Sequence, residues 1–363
     1  MKMLHLIYDH TENPWVGGGG AVRVYELSKR LASRGHEITV VSGRYPGSKD
    51  YSEGNLSFKF LGSDRNYLLS TFSYAVQAAR FLTCRRDEFD VVIEDFAPWN
   101  PVFSRLLTKR PAILHMNHRE GLGIIRRWLL LGIPFYLIEA LYPRLFRYVT
   151  ALSEGTKKKI NAPGAVVIPA GIREGLLTEC AGAMDKNIEG AYIIYIGRLH
   201  IKNKGLDTLL EAMKTVPAPL LIVGRGRDET RLKEMAGKLG LKDVRFTGFL
   251  GEAEKTKALG GASVFVLPSR FEGWGIAVIE AGACGRPVVV SDIAELSFAV
   301  EGGFGVSFRK GDPKDLSGKL NALLRNKPLR DEMSRKARRY AEGYTWERIS
   351  VDYEKYLLGV VGR

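Results

Sequence analysis

Short runs of Val, Ile and Leu alternate along this chain with segments whose apolar residues recur every three or four positions. The runs MLHLIYD, EITVVSG, LSFKFLG, DVVIEDF, AILHM, YVTALS and AVVIP predict strands through the first half. Between them AVRVYELSKRLASRG reads as a helix closed by Gly35, and further helices are expected around Tyr74–Leu82 and Val102–Leu107. Ser153 is placed to cap EGTKKKI. The second half repeats the rhythm. There YIIYIG, PLLIVG, VRFTGF, SVFVLP and RPVVVS read as strands, and LDTLLEAMK, ETRLKEMAGKLG, AVIEAGA and PKDLSGKLNALL as helices.

Uninterrupted aliphatic strands separated by helices mean parallel sheets covered on both faces. Two such series within 363 residues predict an α/β protein of two Rossmann-like domains, residues 1–173 and 174–344, joined near residues 169–190. A terminal helix over residues 345–363 is expected to pack back on the first domain. Sheets of this kind bind ligands at the carboxyl ends of their strands, so the expected site is a cleft across which the two sheets face each other.

Composition narrows the class. An apolar fraction of 45% and a charged fraction of 26% suit a soluble globular chain. Cys84, Cys180 and Cys284 are odd in number and far apart. Neither a metal-ligand spacing nor a disulfide framework follows from them, and a reducing, cytoplasmic setting is the expectation. MKMLHLIYDH reads as a first strand rather than a secretion signal, and no run approaches the roughly 20 apolar residues that span a bilayer. The net charge is +14, with 24 Lys and Arg against 15 Asp and Glu in residues 1–173. Such a surplus favours anionic partners: phosphates, anionic lipid or nucleic acid. Against nucleic acid, the chain carries no recognised binding module and its charges are scattered.

Candidate chemistry clusters where predicted strands end. In PSRFEGWGIAVIE, Glu272 lies in a glycine turn after a strand and Glu280 lies in the helix that follows. A strand, a turn and a helix start in that order expose backbone N–H groups suited to an anion, and the glutamates can take sugar hydroxyls. The plain alternative is an ordinary connection with two surface glutamates. Gly17–Gly20 open the first helix and allow close approach of a ligand, or form only a flexible loop. In GRLHIKNKG, Arg198 and Lys204 follow a strand, where a planar fork and a compact ammonium suit a diphosphate; Lys202 competes with Lys204. The turn in VGRGRDETRL is a weak signal by itself. His115 and His118 in PAILHMNHREG stand at the end of a strand, and His118 is placed nearer the expected cleft. The stretch RRWLLLGIPFYLIEALYPRLFRY mixes Arg126, Arg127, Arg144 and Arg147 with aromatic and aliphatic residues. It suits either an amphipathic segment on anionic lipid or a helical hairpin packed on the first domain.

Taken in order, these residues resemble the retaining glycosyltransferases of family 4, which have the GT-B fold. The likeness runs through nearly the whole chain: GGGGAVRVYELSKRLASRGHEITVV, VVIPAGI, GRLHIKNKG and FEGWGIAVIE each look like a family motif, and their order is highly specific. GRLHIKNKG is one residue longer than the commonest form, which leaves Lys202 open beside Lys204. The resemblance implies a UDP- or GDP-sugar donor, no cofactor and no essential metal. It assigns the diphosphate to Arg198 and Lys204, and the ribose hydroxyls to Glu280. Glu272, with the amides of Gly275, Ile276 and Ala277, holds the transferred sugar and its phosphates. Gly19 and Gly20 form the closing loop. His118 stands near the sugar, with His115 left open by the HMNH spacing. His118, Glu272, Arg198 and Lys204 are then the catalytic set, and the segment ending at Leu250 lines the base pocket. The reaction implied retains anomeric configuration by a front-side path, stabilised by Arg198, Lys204 and the turn amides.

The acceptor is expected to be a sugar or a lipid-linked sugar, with the protein cytoplasmic and peripheral on the inner face of a membrane. Two rivals remain at this level. One is a nucleotide-sugar epimerase of similar two-domain shape, which would need acid and base groups this chain does not obviously supply. The other is a non-catalytic protein that binds sugars or anions. The donor base, the acceptor and the oligomeric state are open.

Overall fold

The computed structural model describes residues 1–16, 18–184 and 192–362. Gly17 of the glycine run and residues 185–191 of the expected join lie outside the described residues. The chain divides into two compact units, residues 1–170 with 346–363, and residues 171–345.

The first unit opens with β1 (Lys2–Leu6), α1 (Gly19–Ser33), β2 (Glu37–Gly43), β3 (Tyr51–Glu53) and β4 (Leu56–Leu61). It continues with α2 (Tyr67–Cys84), β5 (Val91–Asp95), α3 (Ser104–Leu107) and β6 (Ala112–Met116). Then come α4 (Leu122–Trp128), α5 (Ile133–Leu141), β7 (Tyr148–Ala151), α6 (Glu154–Ile160) and β8 (Val166–Val167). Its sheet runs β3-β4-β2-β1-β5-β6-β7-β8, parallel except for the edge hairpin β3-β4. Asn66 and Ser153 each cap a helix with a side-chain oxygen, at Leu69 and Thr156. The stretch from Arg126 to Tyr148, read as either an amphipathic surface segment or a hairpin, folds as two helices joined by a 3-10 turn.

The second unit holds α7 (Gly175–Met184), β9 (Ile193–Ile196), α8 (Ile201–Lys204), α9 (Leu206–Met213), β10 (Leu220–Val223) and α10 (Glu229–Lys238). There follow β11 (Val244–Gly248), α11 (Glu252–Gly261), β12 (Val264–Leu267), α12 (Ile276–Ala283) and β13 (Val288–Ser291). It closes with α13 (Ser297–Glu301), β14 (Gly305–Phe308), α14 (Pro313–Arg325) and α15 (Lys327–Ala341). The sheet order is β11-β10-β9-β12-β13-β14, and every pair is parallel. Its central strands are wholly buried, as continuous aliphatic runs require. Both β14 and α15 escape the sequence reading. Residues β14 contributes are Gly-Val-Ser-Phe, and α15 buries only Met333, Ala337 and Ala341 beneath a charged surface.

The cysteine reading is corrected. Cys180 of α7 and Cys284 at the end of α12 form a disulfide, with Cα atoms 4.7 Å apart. They are separated by 104 residues, so only the packing of α7 against α12 reveals the pair. Cys84 is free and exposed. No helix among the described residues is long and apolar enough to cross a membrane.

The last helix, α16 (Trp346–Val361), returns to the first unit and packs on α1. Arg34 donates to Glu354 at 3.2 Å and to Ser350 at 2.7 Å, and His36 pairs with Glu354 at 2.6 Å. Beneath this contact lies a buried charge cluster. The Arg23 guanidinium is 5.7 Å from the ring centroid of Tyr353, and none of its nitrogens has a hydrogen-bond partner among the described residues. Asp95 accepts from His5 Nε2 at 2.5 Å and from Asn117 at 2.9 Å. Burial alone would raise the Asp95 carboxyl, but the imidazoles of His115 and His5 and the charge of Arg23 reverse this and hold it well below the usual range. His115 is fully buried against Thr150 at 2.7 Å; burial first, and Arg23 second, push its pKa down to about 3.

A neutral buried His115 has a consequence for pH. Between roughly its unfolded pKa of 6.5 and its folded value, the unfolded chain binds a proton that the folded chain does not. Stability therefore rises with pH across that window, by up to about 1.4 kcal/mol per unit from this residue. Urea unfolding at pH 6 and pH 5, where Asp95 is ionised in both states, should show that loss. His115→Gln should be less stable at pH 7 but show a flatter dependence. An equal slope in the variant would assign the effect to other groups.

Candidate functional site

The turn after β9 and the turn after β12 are built against each other. Gly205, at φ +62°, separates α8 from α9, and a Cβ there would stand 2.1 Å from the Pro268 carbonyl oxygen. Only glycine permits that approach. The Asn203 carbonyl then accepts from the backbone N–H groups of Arg270 and Phe271 at 2.8 and 3.1 Å. The Arg270 side chain reaches back to the Ile201 carbonyl at 3.2 Å and to Asp207 at 2.8 Å. With the two turns locked, Lys204 Nζ donates to Glu272 Oε2 at 2.6 Å, and Ser269 donates to the same oxygen at 3.1 Å. The two charged side chains retain 20% and 14% exposure, so the pair faces outward from a mostly covered position. Lys202 is exposed, and the lysine held beside Glu272 is Lys204.

Arg198 lies in the exposed turn immediately after β9. That turn is fixed from a side the sequence signalled only weakly. A Cβ at Gly224 would stand 2.0 Å from the Gly197 carbonyl oxygen, and one at Gly226 would stand 2.2 Å from that of Leu199. The Leu199 N–H donates to the Arg225 carbonyl at 2.9 Å, and Asp228 accepts from the Ile201 N–H at 2.8 Å. The Gly-x-Gly of VGRGRDETRL is thus the seat of the Arg198 turn.

Gly275, at φ +82°, opens α12, and a Cβ there would crowd Leu296 at 2.8 Å. The helix begins at Ile276, so the amides of Ile276 and Ala277 fall in its first turn, where no intrahelical acceptor exists. Glu280 stands four residues into α12, about 6 Å along the axis. It pairs with Lys255 of α11 at 2.8 Å. Burial alone would lower the Lys255 ammonium pKa, but the carboxylates of Glu280 and Glu252 outweigh it and raise it. Lys255, Ser269 and Arg270 carry no sequence signal of their own; only the fold brings them to the two glutamates. Leu250 is half-buried just past β11. A surface depression of about 510 Å³ lies at the opposite, amino ends of β10 and β11 and takes no part in this arrangement.

Gly19, Gly20, His115 and His118 belong to the first unit. α1 opens at Gly19 with no side-chain cap, and a Cβ at Gly20 would meet Asn117 Nδ2 at 3.5 Å. Asn117, held by Asp95, is thereby the neighbour of the glycine turn. His118 is exposed beyond β6, whereas His115 is sealed in the buried cluster. Among the described residues no group of three or more His, Cys, Asp or Glu side chains is placed to hold a metal ion.

The second unit thus brings Lys204, Glu272 and Ser269 together just before α12, and Glu280 with Lys255 in its second turn. Comparison with known proteins bears on the family and the fold. Residues 17–174 match the model of Glycosyltransferase Family 4, and residues 183–340 match that of Glycosyl transferases group 1. A phosphatidyl-myo-inositol mannosyltransferase of Mycobacterium leprae is 28% identical over 360 residues, covering 92% of this chain and 91% of that protein. The structure of a sucrose-phosphate synthase from Thermosynechococcus elongatus superposes with a TM-score of 0.81 at 17% identity, covering all of both chains. The Anabaena protein HepE, solved with UDP and glucose, gives a TM-score of 0.74 at 17% identity over 99% of this chain and 100% of that one.

The close approach at Gly205 makes a sharp prediction. Gly205→Ala should cost about 3 kcal/mol or more, from the left-handed backbone and the clash together. Gly240→Ala shares the left-handed backbone, with φ +68° and nothing within 4 Å. It should cost only about 1 kcal/mol. Equal losses in denaturant unfolding would show that the contact with Pro268 contributes nothing.

Proposed function

The chain belongs to the glycosyltransferases of family 4 and group 1 and has their GT-B fold, and from that premise we propose that it moves a hexose from a nucleoside diphosphate sugar to an acceptor hydroxyl with retention of configuration. The observation that carries this reading is the meeting of Lys204, Glu272 and Ser269 beside the start of α12.

In this reading Arg198 and Lys204 bind the donor diphosphate, and the first-turn amides of α12 add partial positive charge. Lys204 exchanges its bond to Glu272 for a phosphate oxygen, which frees the Glu272 carboxylate to accept from hydroxyls of the transferred sugar. Glu280, positioned by Lys255, accepts from the ribose hydroxyls. As the glycosidic bond breaks, charge grows on the departing diphosphate, and Arg198 and Lys204 stabilise it more strongly than in the ground state. The same cations make a metal unnecessary. Leu250 borders the base; in the first unit, His118 and the Gly19–Gly20 turn are the residues that the family resemblance assigns to the reaction. The acceptor is a sugar or a lipid-linked sugar; the inositol-lipid acceptor in the name of the Mycobacterium leprae relative supports the lipid form.

Thermal shift with UDP, GDP, ADP and their sugars, in the presence of EDTA, tests the donor reading. One diphosphate and its sugar should raise Tm in proportion to the logarithm of concentration over Kd. Arg198→Ala and Lys204→Ala should abolish that shift and cut turnover by about 10²–10³-fold. Activity retained in both variants overturns the site, and loss of wild-type binding on adding EDTA overturns metal independence. Proton NMR of the product reads the anomeric configuration directly, and a β-linked product from an α-linked donor overturns retention.

A further inference from the structure

The first unit exposes apolar surface out of proportion to its size. Among the described residues 22 large apolar side chains are exposed, and 16 of them lie between Tyr67 and Leu145. On α2, Leu68, Phe72 and Val76 recur every four residues and are 66%, 57% and 71% exposed. On α3, Leu106 is 68% exposed. At the turn between α4 and α5, Leu129, Leu130 and Leu131 are 74%, 80% and 75% exposed. Leu129 closes α4 at φ +51°, a backbone state that costs a leucine energy, and so presents three consecutive leucines to solvent.

These helices share one face of the sheet. The connection β1→β2 runs one way along the sheet order, whereas β4→β5, β5→β6 and β6→β7 all run the other. Right-handed crossovers then place α2, α3, α4 and α5 together, opposite α1. Contacts confirm the continuity: α2 touches α3, the Phe103 ring beside α3 lies 5.1 Å from that of Tyr142, and Trp99 lies 4.5 Å from Phe135 of α5.

The exposed charge on these helices has one sign. Between Leu122 and Leu145, and throughout α2 and α3, the only carboxylate is Glu139. It is buried, and its oxygens accept from the backbone N–H groups of Glu120 and Gly121 at 2.7 Å each. Arg80, Arg105, Arg126 and Arg144 are exposed, and among the described residues none has an ion-pair partner. The helices of this face present bare leucines and exposed guanidinium groups but no exposed carboxylate, the exposed acids Asp87 and Glu88 lying in the turn after α2 beside Arg86 and Arg85, and this complements a surface that is apolar beneath and anionic above.

We propose that this face, through α2, α3 and the leucine turn between α4 and α5, docks the enzyme on the surface of an anionic lipid bilayer, with Leu129–Leu131 entering the headgroup region and the arginines bound to lipid phosphates. The inference rests on residues outside the donor site and gives a location to the membrane-borne acceptor of the reading above.

The test is co-sedimentation of the whole protein with vesicles of phosphatidylcholine alone or with anionic phosphatidylglycerol, at low and high salt. The wild type should pellet with anionic vesicles at low salt and be released by high salt. Replacing Leu129, Leu130 and Leu131 together by Ser, or Arg126 and Arg144 together by Glu, should lower the partition coefficient by about tenfold or more. Each variant is checked for an unchanged thermal shift with the nucleotide that stabilises the wild type, so that loss of docking is separated from loss of the donor site. If no nucleotide stabilises the wild type, the docking result stands and the transferase site alone is in question. A wild type that stays in the supernatant overturns the proposal. So does equal binding to uncharged vesicles, and so does a wild type that is dimeric by light scattering while the triple Ser variant is monomeric, which would assign the face to a second copy.

Discussion

The donor side depends on one close approach of backbone, at Gly205 and Pro268. A partly exposed ion pair such as Lys204–Glu272 contributes about 1 kcal/mol at most. That is too little to hold two loops from different strands in register. The direction of cause therefore runs from backbone to charge. Glycine admits the Pro268 carbonyl, the Asn203 carbonyl collects two N–H donors, and Arg270 ties the turn to Ile201 and Asp207. Lys204 and Glu272 meet because the loops already meet. A site fixed this way can exchange the partners of its charges on binding without losing its shape, which is what a preorganised anion site requires.

The first unit achieves position by a costlier route. Burying Arg23 without a hydrogen-bond partner carries a desolvation penalty of several kcal/mol, which Asp95 and the face of Tyr353 only partly offset. Apolar residues of similar volume would hold α1 against the sheet more cheaply. What they would not supply is the chain of bonds from His5 through Asp95 to Asn117, which ends beside Gly20 at the start of α1. The buried charge is best understood as the anchor of that chain. His115 lies in this buried cluster, bonded to Thr150, whereas His118 lies at the surface.

The alternation of aliphatic runs and helical periods made both sheets legible, because continuous buried strands leave a strong signal. Glycines past the strand ends marked the turns, because at Gly197, Gly205 and Gly224 a Cβ has no room. What could not be read were features set by packing between distant segments. Lys255 is one lysine among many until α11 brings it to Glu280. Cys180 and Cys284 pair only because α7 and α12 touch. The α15 helix buries Met333, Ala337 and Ala341, too small an apolar stripe to stand out. Yet Gly282 of α12 lies so close to it that a Cβ would sit 3.2 Å from the Ala337 carbonyl oxygen. The helix that carries Glu280 is therefore seated on an element the periodicity concealed.

The unequal faces of the first unit follow from its topology. Its sheet needs helices on both sides, and the handedness of crossovers assigns α1 to one side and the remaining connections to the other. On the α1 side the chain adds a second cover, because α16 returns and packs there with its own ion pairs. On the other side, α3 has four residues and the connection from β6 to β7 is broken into two short helices around a left-handed leucine. These short elements suffice to bury the strands beneath them, but their outer surfaces keep leucines where a solvent-facing helix would carry charge. The α16 helix could not cover both faces. The asymmetry is thus built into the order of strands, and apolar surface left on the second face is consistent with a partner outside the chain.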